Sequence, residues 1–429
     1  MRGKKRAVEL DHLGDEDRLV LDMLREHGKA WIVGGWVRDL LSGSIPSDID
    51  IATNLRPDEV KSIFPRSIMV GEKYGTVIVR IDGSENDEYQ CEVTTLRTDG
   101  GYADGRRPEN VVFGDEIEDD VERRDFTINA MAIEPKETLV GGKELVGELL
   151  DFHGGESDLR SGILKAVGDA EKRLGEDGLR VIRAFRFLEK GDEGLRKLDL
   201  SLSGAISSNL GMLEKVSKER IWSELRTILS GQNSKEIVRM MYEHGLLDVI
   251  LPGITLNQEV RHCRDPLVNL ALMCSSNKST GPELSGKLIE SLRLSKNEGA
   301  ILSTLHGHRD LELDDSLGSV RRFRATIPSP ERRRILDYLG GLGVETHEFE
   351  SSFNKSGELK SGDSPLIDGN LLSNLTGLEP GRKLGRLKSW LHRIQVEEDI
   401  DRRDVVILLL DEIGWEESDY QDWPILSWP

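Results

Sequence analysis

Residues 31–51, with the sequence WIVGGWVRDLLSGSIPSDIDI, form the stretch around which the chain is organised. Its first three residues are apolar and predict a short buried strand, and residues 36–41 predict the start of a helix. Gly34 and Gly35 separate the two elements. Glycines at such a turn let the backbone approach a ligand closely, and a helix N-terminus attracts phosphate. Arg38 would lie in the first turn, where its guanidinium can bind phosphate oxygens.

After a turn at residues 44–47, the sequence Asp-Ile-Asp-Ile predicts a strand over residues 48–51. Residues two apart in a strand share a face, so Asp48 and Asp50 should project together while the isoleucines enter the core. Paired carboxylates beside a phosphate site are what magnesium-assisted phosphoryl or nucleotidyl transfer requires. Taken alone, the same spacing is equally typical of a plain turn followed by a solvated acidic loop.

Composition limits the class of protein. A chain of 429 residues is too long for one core and predicts several domains. The formal net charge of -20 weighs against a nucleic-acid substrate, although it does not exclude a local basic face. The three cysteines are scattered and indicate a reduced, cytoplasmic setting. No stretch approaches the roughly 20 apolar residues of a membrane span, so we expect a soluble protein with no membrane partner.

The following segments add candidate polar residues. Residues 89–96 predict a strand, whose Glu92 is either a third carboxylate of the site or an ordinary solvated residue. Residues 99–108, DGGYADGRRP, have no periodicity and predict a loop. Residues 125–133, DFTINAMAI, predict a buried helix whose polar end carries Arg123, Arg124, Asp125 and Asn129.

A charged stripe is predicted beyond residue 155. A turn-rich connector should lead into a helix from about Glu176, and Asp177, Arg180, Arg183 and Arg186 recur in it every three residues. Such spacing puts the side chains in a slowly drifting stripe along one helix face, and a charged stripe of this kind is more often a solvated surface than a binding surface. From about Ser201 onward the apolar periodicity is helical, including one long helix over residues 206–229.

Several stretches taken together resemble the class II tRNA nucleotidyltransferase and bacterial poly(A) polymerase family. Each stretch alone is a weak signal, but the set in this order is specific. The stretches are GGWVRDLLSG with DID (34–50), VGEKYGTV (70–77), EVTTLR with DGGYADGRRP (92–108), RRDFTINAMA (123–132), VGDAEKRLGEDGLRVIRAFRF (167–187) and SKERIWSEL (217–225). The resemblance is dense from about residue 30 to about residue 230 and thins to a helical pattern after that.

This resemblance implies an α+β fold, in which a polymerase-β-like nucleotidyltransferase head with a mixed sheet precedes an all-helical neck, body and tail. We therefore expect a catalytic head at 1–152, a base-selecting neck at 153–205, a helical body at 206–300 and a tRNA-binding helical tail at 301–429. The resemblance also implies template-independent, Mg²⁺-dependent nucleotide addition to the 3′ end of tRNA from CTP and ATP, with release of pyrophosphate.

The resemblance also implies roles for individual residues. Asp48 and Asp50 would be catalytic and hold Mg²⁺, with Glu92 as a candidate third catalytic carboxylate. The nucleotide-binding positions would be Gly34, Gly35 and Arg38 at the triphosphate, Arg124 with Asp125 near the ribose, Asp177 and Arg180 at the base, and Arg183 and Arg186 as further contacts.

Hydrogen-bonding chemistry explains how Asp177 and Arg180 would select a base. Cytosine and adenine both present an amino donor beside a ring-nitrogen acceptor, whereas uracil and guanine present a carbonyl acceptor beside a ring N–H. An ionised aspartate only accepts and an arginine only donates. The pair would therefore favour C and A and leave U and G facing unpaired groups.

The sequence also bears on the choice among relatives. Residues 71–76, GEKYGT, are similar to the tRNA-specific type and lack the basic Gly-Arg-Arg-Phe stretch of poly(A) polymerases, which favours CCA addition. The loop at 99–108 argues against an enzyme that adds only CC. Poly(A) polymerase, CC-only or A-only addition, and a non-catalytic RNA-binding relative are the alternatives. Residues 262–274 lack a His-Asp doublet, so we predict no metal hydrolase.

Binding of tRNA requires cations that neutralise phosphates. The candidates are the basic residues of 160–186, the set Arg321, Arg322 and Arg324, and the set Arg382, Lys383, Arg386 and Lys388. For the last two sets a solvated helix face is an equal alternative. The residues from 415 to 429 carry Trp415, Trp423 and Trp428, to which the sequence assigns no function, and the oligomeric state is not indicated.

Overall fold

The computed structural model describes residues 4–70, 75–83, 88–100, 110–136, 140, 145–362 and 364–429. The chain divides into two compact units, Met1–Pro252 and Gly253–Pro429. The finer division into head, neck, body and tail stays a prediction.

The strands all lie in the first unit. They are β1 (Lys4–Glu9), β2 (Ala30–Val33), β3 (Asp50–Thr53), β4 (Ile68–Met69), β5 (Thr76–Asp82), β6 (Glu88–Thr95), β7 (Arg97–Gly100), β8 (Asn110–Phe113), β9 (Met131–Pro135), β10 (Val146–Asp151), β11 (Ile163–Leu164) and β12 (Lys197–Leu198). Eight of them form one sheet in the order β1-β10-β9-β2-β3-β6-β5-β4. Strands β3 and β6 run parallel, whereas β2 is antiparallel to both β3 and β9, so the predicted mixed sheet is confirmed.

Helices alternate with the strands of the first unit and are also the regular elements described in the second unit. Those of the first unit are α1 (Asp15–His27), α2 (Gly35–Leu41), α3 (Pro57–Ile63), α4 (Ile117–Glu122), α5 (Gly155–Ser161), α6 (Ala170–Glu176), α7 (Leu179–Arg186), α8 (Leu200–Ser208), α9 (Lys218–Ser230), α10 (Ser234–Glu243) and α11 (Leu246–Ile250). The second unit contains α12 (Pro266–Met273), α13 (Gly281–Leu292), α14 (Lys296–Gly307), α15 (Leu317–Thr326), α16 (Ser329–Gly341), α17 (His347–Ser356), α18 (Gly369–Thr376), α19 (Arg382–Glu397) and α20 (Arg403–Glu412).

The two faces of the sheet bury different residues, because successive side chains of a strand point to opposite sides. Trp31 and Val33 of β2 pack with Ala52 of β3 and with Ile117 and Val121 of α4 in one buried cluster. Asp50 is two residues before Ala52 and therefore shares this face. The helix that covers the face, α4, ends immediately before the arginine pair at residues 123 and 124.

Strand register brings distant segments of the chain together. Val33, at the end of β2, is paired with Asp50 at the start of β3, and Asp50 is paired with Glu92 on β6. Since β2 and β3 are antiparallel, the glycine turn that follows β2 lies beside the first residue of β3. Backbone pairing thus brings Gly34 and Gly35 together with the carboxylates of Asp50 and Glu92 at one end of strands β2, β3 and β6.

The predicted buried helix over residues 125–133 is wrong. A single 3₁₀ turn, Thr127–Asn129, is followed by the central strand β9. Met131, Ala132 and Ile133 are fully buried, so both faces of β9 are covered. A strand buried on both faces has a continuous apolar run, which periodicity cannot distinguish from a buried helix.

Other boundaries also differ from the predictions. Strand β3 begins at Asp50, so Asp48 precedes it and does not belong to it as predicted. The helix expected from about Glu176 begins at Leu179 as α7, and a separate helix, α6, ends at Glu176 within the predicted connector, so Asp177 and Gly178 lie between two helices. The helix expected over 206–229 is divided by a 3₁₀ segment, Leu210–Lys215. Asp99 and Gly100, predicted in a loop, belong to β7, while residues 101–108 lie outside the described residues.

The tryptophans near the end of the chain form part of the core of the second unit. Trp423 packs against Trp390 and Trp415 at ring-centroid distances of 5.8 and 6.5 Å. Trp428 packs against Phe323 at 4.6 Å and stacks on His308 at 5.5 Å. These residues therefore stabilise the helical unit. No helix in the described ranges has the length and apolar character needed to cross a bilayer.

Gly178 provides a test of how α6 and α7 are joined. A Cβ atom at this position would overlap the backbone carbonyl of Met212, although the Gly178 backbone itself is helical. We expect Gly178→Ala to lower the free energy of unfolding by about 1–3 kcal/mol through overpacking. Urea denaturation followed by circular dichroism measures this change.

Gly204→Ala is the matched control, because Gly204 is exposed within α8 and an added Cβ would meet nothing within 4 Å. Alanine there should be neutral or stabilising by up to about 1 kcal/mol. Equal effects of the two substitutions would contradict the steric argument.

Candidate active site

Gly34 lies at the centre of the candidate site. Its φ of 74° is in the region that favours glycine, and it joins the end of β2 to the start of α2. A Cβ at Gly34 would lie 2.9 Å from Asp50 Oδ2 and 3.1 Å from Arg124 Nη1. A carboxylate and a guanidinium thus flank a stretch of backbone that has no room for a side chain.

Three carboxylates lie within electrostatic reach of one another. Asp48 is exposed, Ile49 is buried and Asp50 is half-buried, so the two aspartates alternate with the core residue. Burial raises the pKa of Asp50, and the charge of Asp48 raises it further, while Arg124 and Arg38 oppose the rise. Burial also raises the pKa of Glu92, with contributions from Asp50 and Asp48. Mutual repulsion of this kind fits a site that a cation completes.

The donor set is suited to a hard divalent cation. Magnesium is commonly held by one or two carboxylates together with waters and substrate phosphates. Asp48 and Asp50 could supply the protein ligands of such a site. Within the described ranges, no group of three or more His, Cys, Asp or Glu side chains is close enough to hold a metal by itself.

Arg38 and Arg124 face the site with different degrees of restraint. Arg38 donates to Asn129 Oδ1 and to Asp39 Oδ1, both at 2.9 Å. Arg124 Nη1 donates to the Asn129 carbonyl at 3.4 Å, and its Nε is buried and has no acceptor among the described residues. Arg124 therefore has donor capacity to offer to an anionic ligand.

Asp120 forms ion pairs with the two arginines that follow α4, Arg123 and Arg124. Its carboxylate is 1% exposed and lies 2.7 Å from Arg123 Nη2 and 3.6 Å from Arg124 Nη2. Burial by itself would raise the pKa of Asp120, but the two arginines lower it overall. The carboxylate thus stays ionised and orients Arg124 towards Gly34.

Asp125 is the centre of a buried polar network. Its carboxylate accepts from Arg183 Nε at 2.8 Å and from Asn129 Nδ2 at 3.2 Å. Burial would raise the pKa of Asp125, but Arg183 and the hydrogen bonds lower it to about 2. Asn129 also accepts from Arg38, so the network links α2 to α7.

The network extends to α9 through the other arginines of the stripe. Glu224 lies 3.0 Å from Arg186 Nη1 and 3.5 Å from Arg183 Nη1. The guanidinium carbons of Arg38, Arg183 and Arg186 lie 5.3, 4.9 and 4.5 Å from the centre of the Phe187 ring. Aromatic rings attract cations at such distances, so Phe187 supports this arginine cluster.

The expected base-reading pair is arranged differently from the prediction. Asp177 precedes α7, which begins at Leu179, and so it does not lie on the face of that helix. Its Oδ1 accepts from the Leu179 backbone N–H at 2.9 Å. Its Oδ2 lies 3.3 Å from Arg220 Nη2. Arg180 donates to Glu176 at 2.6 Å and to the Arg123 carbonyl at 2.8 Å. Both side chains therefore have protein partners that the sequence did not indicate.

The predicted residues form two adjoining groups. The first group surrounds Gly34 and consists of Gly34, Gly35, Arg38, Asp48, Asp50, Glu92 and Arg124. The second is the network of Asp125, Asp177, Arg180, Arg183 and Arg186 with α9. The consecutive residues 123–125 contact both groups, since Arg124 belongs to the first and the Arg123 carbonyl and Asp125 to the second. Residues 71–74 and 101–108 lie outside the described residues.

Sequence reasoning missed the partners on α9. Arg220 and Glu224 lie in the stretch SKERIWSEL, and their separation of four residues puts them on one helix face. That spacing was the available signal, but it does not reveal which residues the face meets. Asp120, Glu176 and Asn129 were also given no role. Asp120 pairs with Arg123 and Arg124, and Glu176 pairs with Arg173 and Arg180, so the spacing of three and four residues was the available signal for both. The contacts of Asn129 were hidden by the wrong helix prediction.

Several of the candidate RNA-binding cations make contacts with other residues of the second unit, to which they belong. Arg322 lies 2.9 Å from Glu397 Oε1, and Arg321 donates to the Glu397 carbonyl at 2.6 Å. Arg386 donates to the Trp423 carbonyl at 2.8 Å, and Lys383 Nζ lies 5.8 Å from the centres of two tryptophan rings. These contacts give the cations structural roles within their unit.

Comparisons with known proteins agree with the geometry. Residues 30–165 match the family described as the poly A polymerase head domain, and residues 197–257 match the one described as the probable RNA and SrmB- binding site of polymerase A. The CCA-adding enzyme of Ligilactobacillus salivarius is 40% identical over 386 residues, which are 87% of this chain and 90% of that protein.

Two further comparisons differ in extent. The CCA-adding enzyme of Geobacillus thermodenitrificans is 40% identical over 236 residues, 55% of this chain and 54% of that protein, so the match spans about half of that relative. The crystal structure of the Bacillus stearothermophilus CCA-adding enzyme in complex with CTP superimposes with a TM-score of 0.75 at 25% identity and covers 94% of this chain and 98% of that one.

The Asp125 network predicts a large and pH-dependent stability effect. Asp125→Ala removes the nearest carboxylate partner of Arg183, leaving only the more distant Glu224, and should lower the free energy of unfolding by roughly 3–5 kcal/mol at pH 7. The folded-state pKa of about 2 lies below the ordinary value of 3.8. The stabilisation by Asp125 is therefore complete above about pH 4 and is lost as the pH falls towards 2. The difference between wild type and variant should shrink over that range.

Glu243→Ala is the control, because Glu243 pairs with Arg239 on the surface, where the two side chains are 53% and 71% exposed. Its effect should stay within about 0.5 kcal/mol. Urea denaturation at several pH values measures both variants. A small, pH-independent effect of Asp125→Ala would refute the role given to the network.

Proposed function

Because the chain belongs to the family of CCA-adding enzymes, we propose that it adds C, C and A to the 3′ end of tRNA from CTP and ATP without a nucleic-acid template. The single observation that carries this proposal is the arrangement at Gly34, where Asp50 Oδ2 and Arg124 Nη1 flank bare backbone. Backbone without side chains, with a cationic side chain beside it, lets a triphosphate approach closely. The reacting phosphorus also needs a metal-binding carboxylate within a few ångströms of that backbone.

The reaction joins the tRNA 3′-hydroxyl oxygen to the α-phosphorus of the nucleotide. The bond between that phosphorus and the oxygen bridging to the β-phosphate breaks, pyrophosphate leaves, and the hydroxyl proton passes to solvent. Arg38, Arg124 and the backbone at Gly34 and Gly35 bind the triphosphate and orient its α-phosphorus. Asp125, held by Arg183, fixes the Arg124 segment near the ribose.

Asp48 and Asp50 are the residues that would hold Mg²⁺, and Glu92 is a candidate third catalytic carboxylate beside them. When bound, Mg²⁺ activates the attacking hydroxyl and neutralises charge on the leaving oxygens. Burial, and to a lesser extent repulsion among the carboxylates, raises the pKa of Asp50 and of Glu92. This supports the assignment, because a bound cation would stabilise the ionised carboxylates.

Base selection is assigned to Asp177 and Arg180. Asp177 Oδ2 can accept from the amino group of cytosine or adenine while Arg220 holds the carboxylate in place. Arg180 can donate to the ring nitrogen, and its bonds to Glu176 and to the Arg123 carbonyl restrict where its guanidinium points. A rigid pair of this kind discriminates by leaving the wrong base with unpaired polar groups.

The carboxylate assignment predicts loss of activity without loss of fold. Asp48→Ala and Asp50→Ala should each reduce Mg²⁺-dependent incorporation of labelled CTP and ATP into tRNA lacking CCA by roughly a thousandfold or more. Asp58→Ala is the control, because Asp58 is an exposed residue of α3 outside the site. Unfolding curves should show all three variants folded.

Substantial activity in a folded Asp48→Ala or Asp50→Ala variant would overturn the assignment. The same assay, run on the wild-type chain with CTP alone, ATP alone and both together, separates the activities. CCA addition requires both nucleotides for full extension, whereas poly(A), CC-only and A-only addition each give a different product length.

The base-selection assignment predicts a change in specificity rather than in fold. Asp177→Ala should raise misincorporation of UTP and GTP relative to CTP and ATP by about 10- to 100-fold. Glu171→Ala, an exposed residue of α6, serves as the control. Single-turnover incorporation of each nucleotide measures the ratio. Unchanged rejection of UTP and GTP by Asp177→Ala would show that another group selects the base.

A further inference from the structure

Two arginines share one carboxylate oxygen at the junction between α6 and α7. Glu176 Oε2 accepts from Arg173 Nη1 at 2.7 Å and from Arg180 Nη1 at 2.6 Å. The side chains of Arg173, Glu176 and Arg180 are 11%, 14% and 11% exposed. Charge-assisted hydrogen bonds that are shielded from water are stronger than those on a solvated surface, so these three side chains hold one another in place.

This group of side chains crosses the break between the two helices. Helix α6 ends at Glu176 and α7 begins at Leu179, so the contact between Glu176 and Arg180 joins separate elements. The spacing of four residues is that of an ordinary pair within one helix, but here it spans the break. Asp177, the other residue to which we assign base selection, lies in the break itself. The relative position of Asp177 and Arg180 therefore depends on how Glu176 is held.

Arg173 contacts Arg180 by two routes. Its side chain reaches Arg180 through Glu176, and its backbone carbonyl accepts from Arg180 Nη1 directly at 2.8 Å. Arg180 Nη2 also donates to the Arg123 carbonyl at 2.8 Å. A guanidinium has five N–H groups. Among the described residues, the contacts with Glu176 and the two carbonyls leave the Nε–H and one Nη2–H of Arg180 for a ligand.

Arg173 is itself anchored to the Asp125 segment. Its Nε donates to the Val167 carbonyl at 3.2 Å, and the Val167 N–H donates to the Asp125 carbonyl at 3.1 Å. Val167 is fully buried and belongs to the cluster in which α4 packs on the sheet. Arg173 therefore links Glu176 and Arg180 to a fixed part of the core.

We propose that Arg173 is a positioning residue for base selection, which holds Glu176 so that the remaining N–H groups of Arg180 face the base in one direction. The inference rests on the proposed function, because it explains how the base-selecting pair of that function is oriented. Arg173 acts through Glu176 and Arg180 and not by contact with the base. Without its side chain, Glu176 loses one of its two arginine partners, and the pair that remains can turn relative to Asp177.

The test is a change in nucleotide selection that exceeds any change in rate. Arg173→Met keeps the length of the side chain without its charge. It should raise misincorporation of UTP and GTP relative to CTP and ATP by about 5- to 20-fold, because a charge-assisted contact that orients a specificity group is lost. Single-turnover incorporation of each nucleotide into tRNA lacking CCA measures this ratio.

Two further variants calibrate the effect. Arg173→Lys keeps the charge but not the planar guanidinium that joins Glu176 to the Val167 carbonyl, so the ratio should rise only about two- to threefold. Lys172→Met removes an exposed cation of the same helix and should leave the ratio unchanged.

A double-mutant cycle tests the route of the effect. If Arg173 acts through Glu176, Arg173→Met should change the ratio by less than about twofold in a chain that already carries Glu176→Gln. Additive effects of the two substitutions would overturn the route through Glu176.

The outcomes separate this inference from the proposed function. An equal loss of incorporation for all four nucleotides in Arg173→Met would indicate a purely structural role and overturn the inference. Unfolding curves accompany every variant, and if Arg173→Met does not fold, an unchanged ratio in Arg173→Lys overturns it instead. If the wild-type chain incorporates no nucleotide, the proposed function fails. Calorimetric dissociation constants of the four nucleotides then test the inference alone, since Arg173→Met should change them unequally and equal changes would refute it.

Discussion

The buried carboxylate of Asp125 is the constraint on which the site depends. An ionised group in a protein interior must be paired, and Asp125 is paired with Arg183 from α7 and with Asn129 from the turn before β9. Because Asn129 also holds Arg38 and because Arg124 precedes Asp125, the two arginines that we propose bind phosphate take their positions in part from this carboxylate. The glycine turn with its carboxylates and the helices α7 and α9 are therefore joined by one electrostatic arrangement rather than by apolar packing alone.

A second constraint is the register of the sheet. Pairing of Val33 with Asp50 and of Asp50 with Glu92 brings together segments that are tens of residues apart in the sequence. The glycine turn after β2 then lies beside the carboxylates, and Gly34 leaves the intervening space open. A one-residue slip in this register would move Asp50 to the opposite face of the sheet, away from α4 and its arginines. The hydrophobic alternation that fixes the fold thus also fixes the chemistry.

The sequence predicted local features well and tertiary partners poorly. Helix α1 has a clear helical period, and the strand before Gly34 is a short apolar run that ends at two glycines. The predicted mixed sheet followed by helices was confirmed. Strand β9 was mistaken for a helix because burial on both faces erases its two-residue period. Strand β1 was missed because cross-strand ion pairs, such as Lys5 with Glu148 at 3.1 Å, stabilise it. Arg220 was missed because its contact with Asp177 spans 43 residues.

The net charge of -20 looks opposed to a polyanionic substrate, but the position of the charges resolves the conflict. Charges on a solvated surface act over roughly 10 Å at 0.1 M salt, so acids elsewhere on the chain do not cancel a local group of cations. Within the site, most arginines have a carboxylate partner that orients them. This pairing also neutralises most of the positive charge of those arginines. Arg196 is buried and its Nε has no acceptor among the described residues, but the charges of Asp39, Glu193 and Glu189 partly offset its own. A chain that is acidic overall can therefore attract RNA phosphate where a few desolvated cations keep part of their charge, and repel RNA elsewhere.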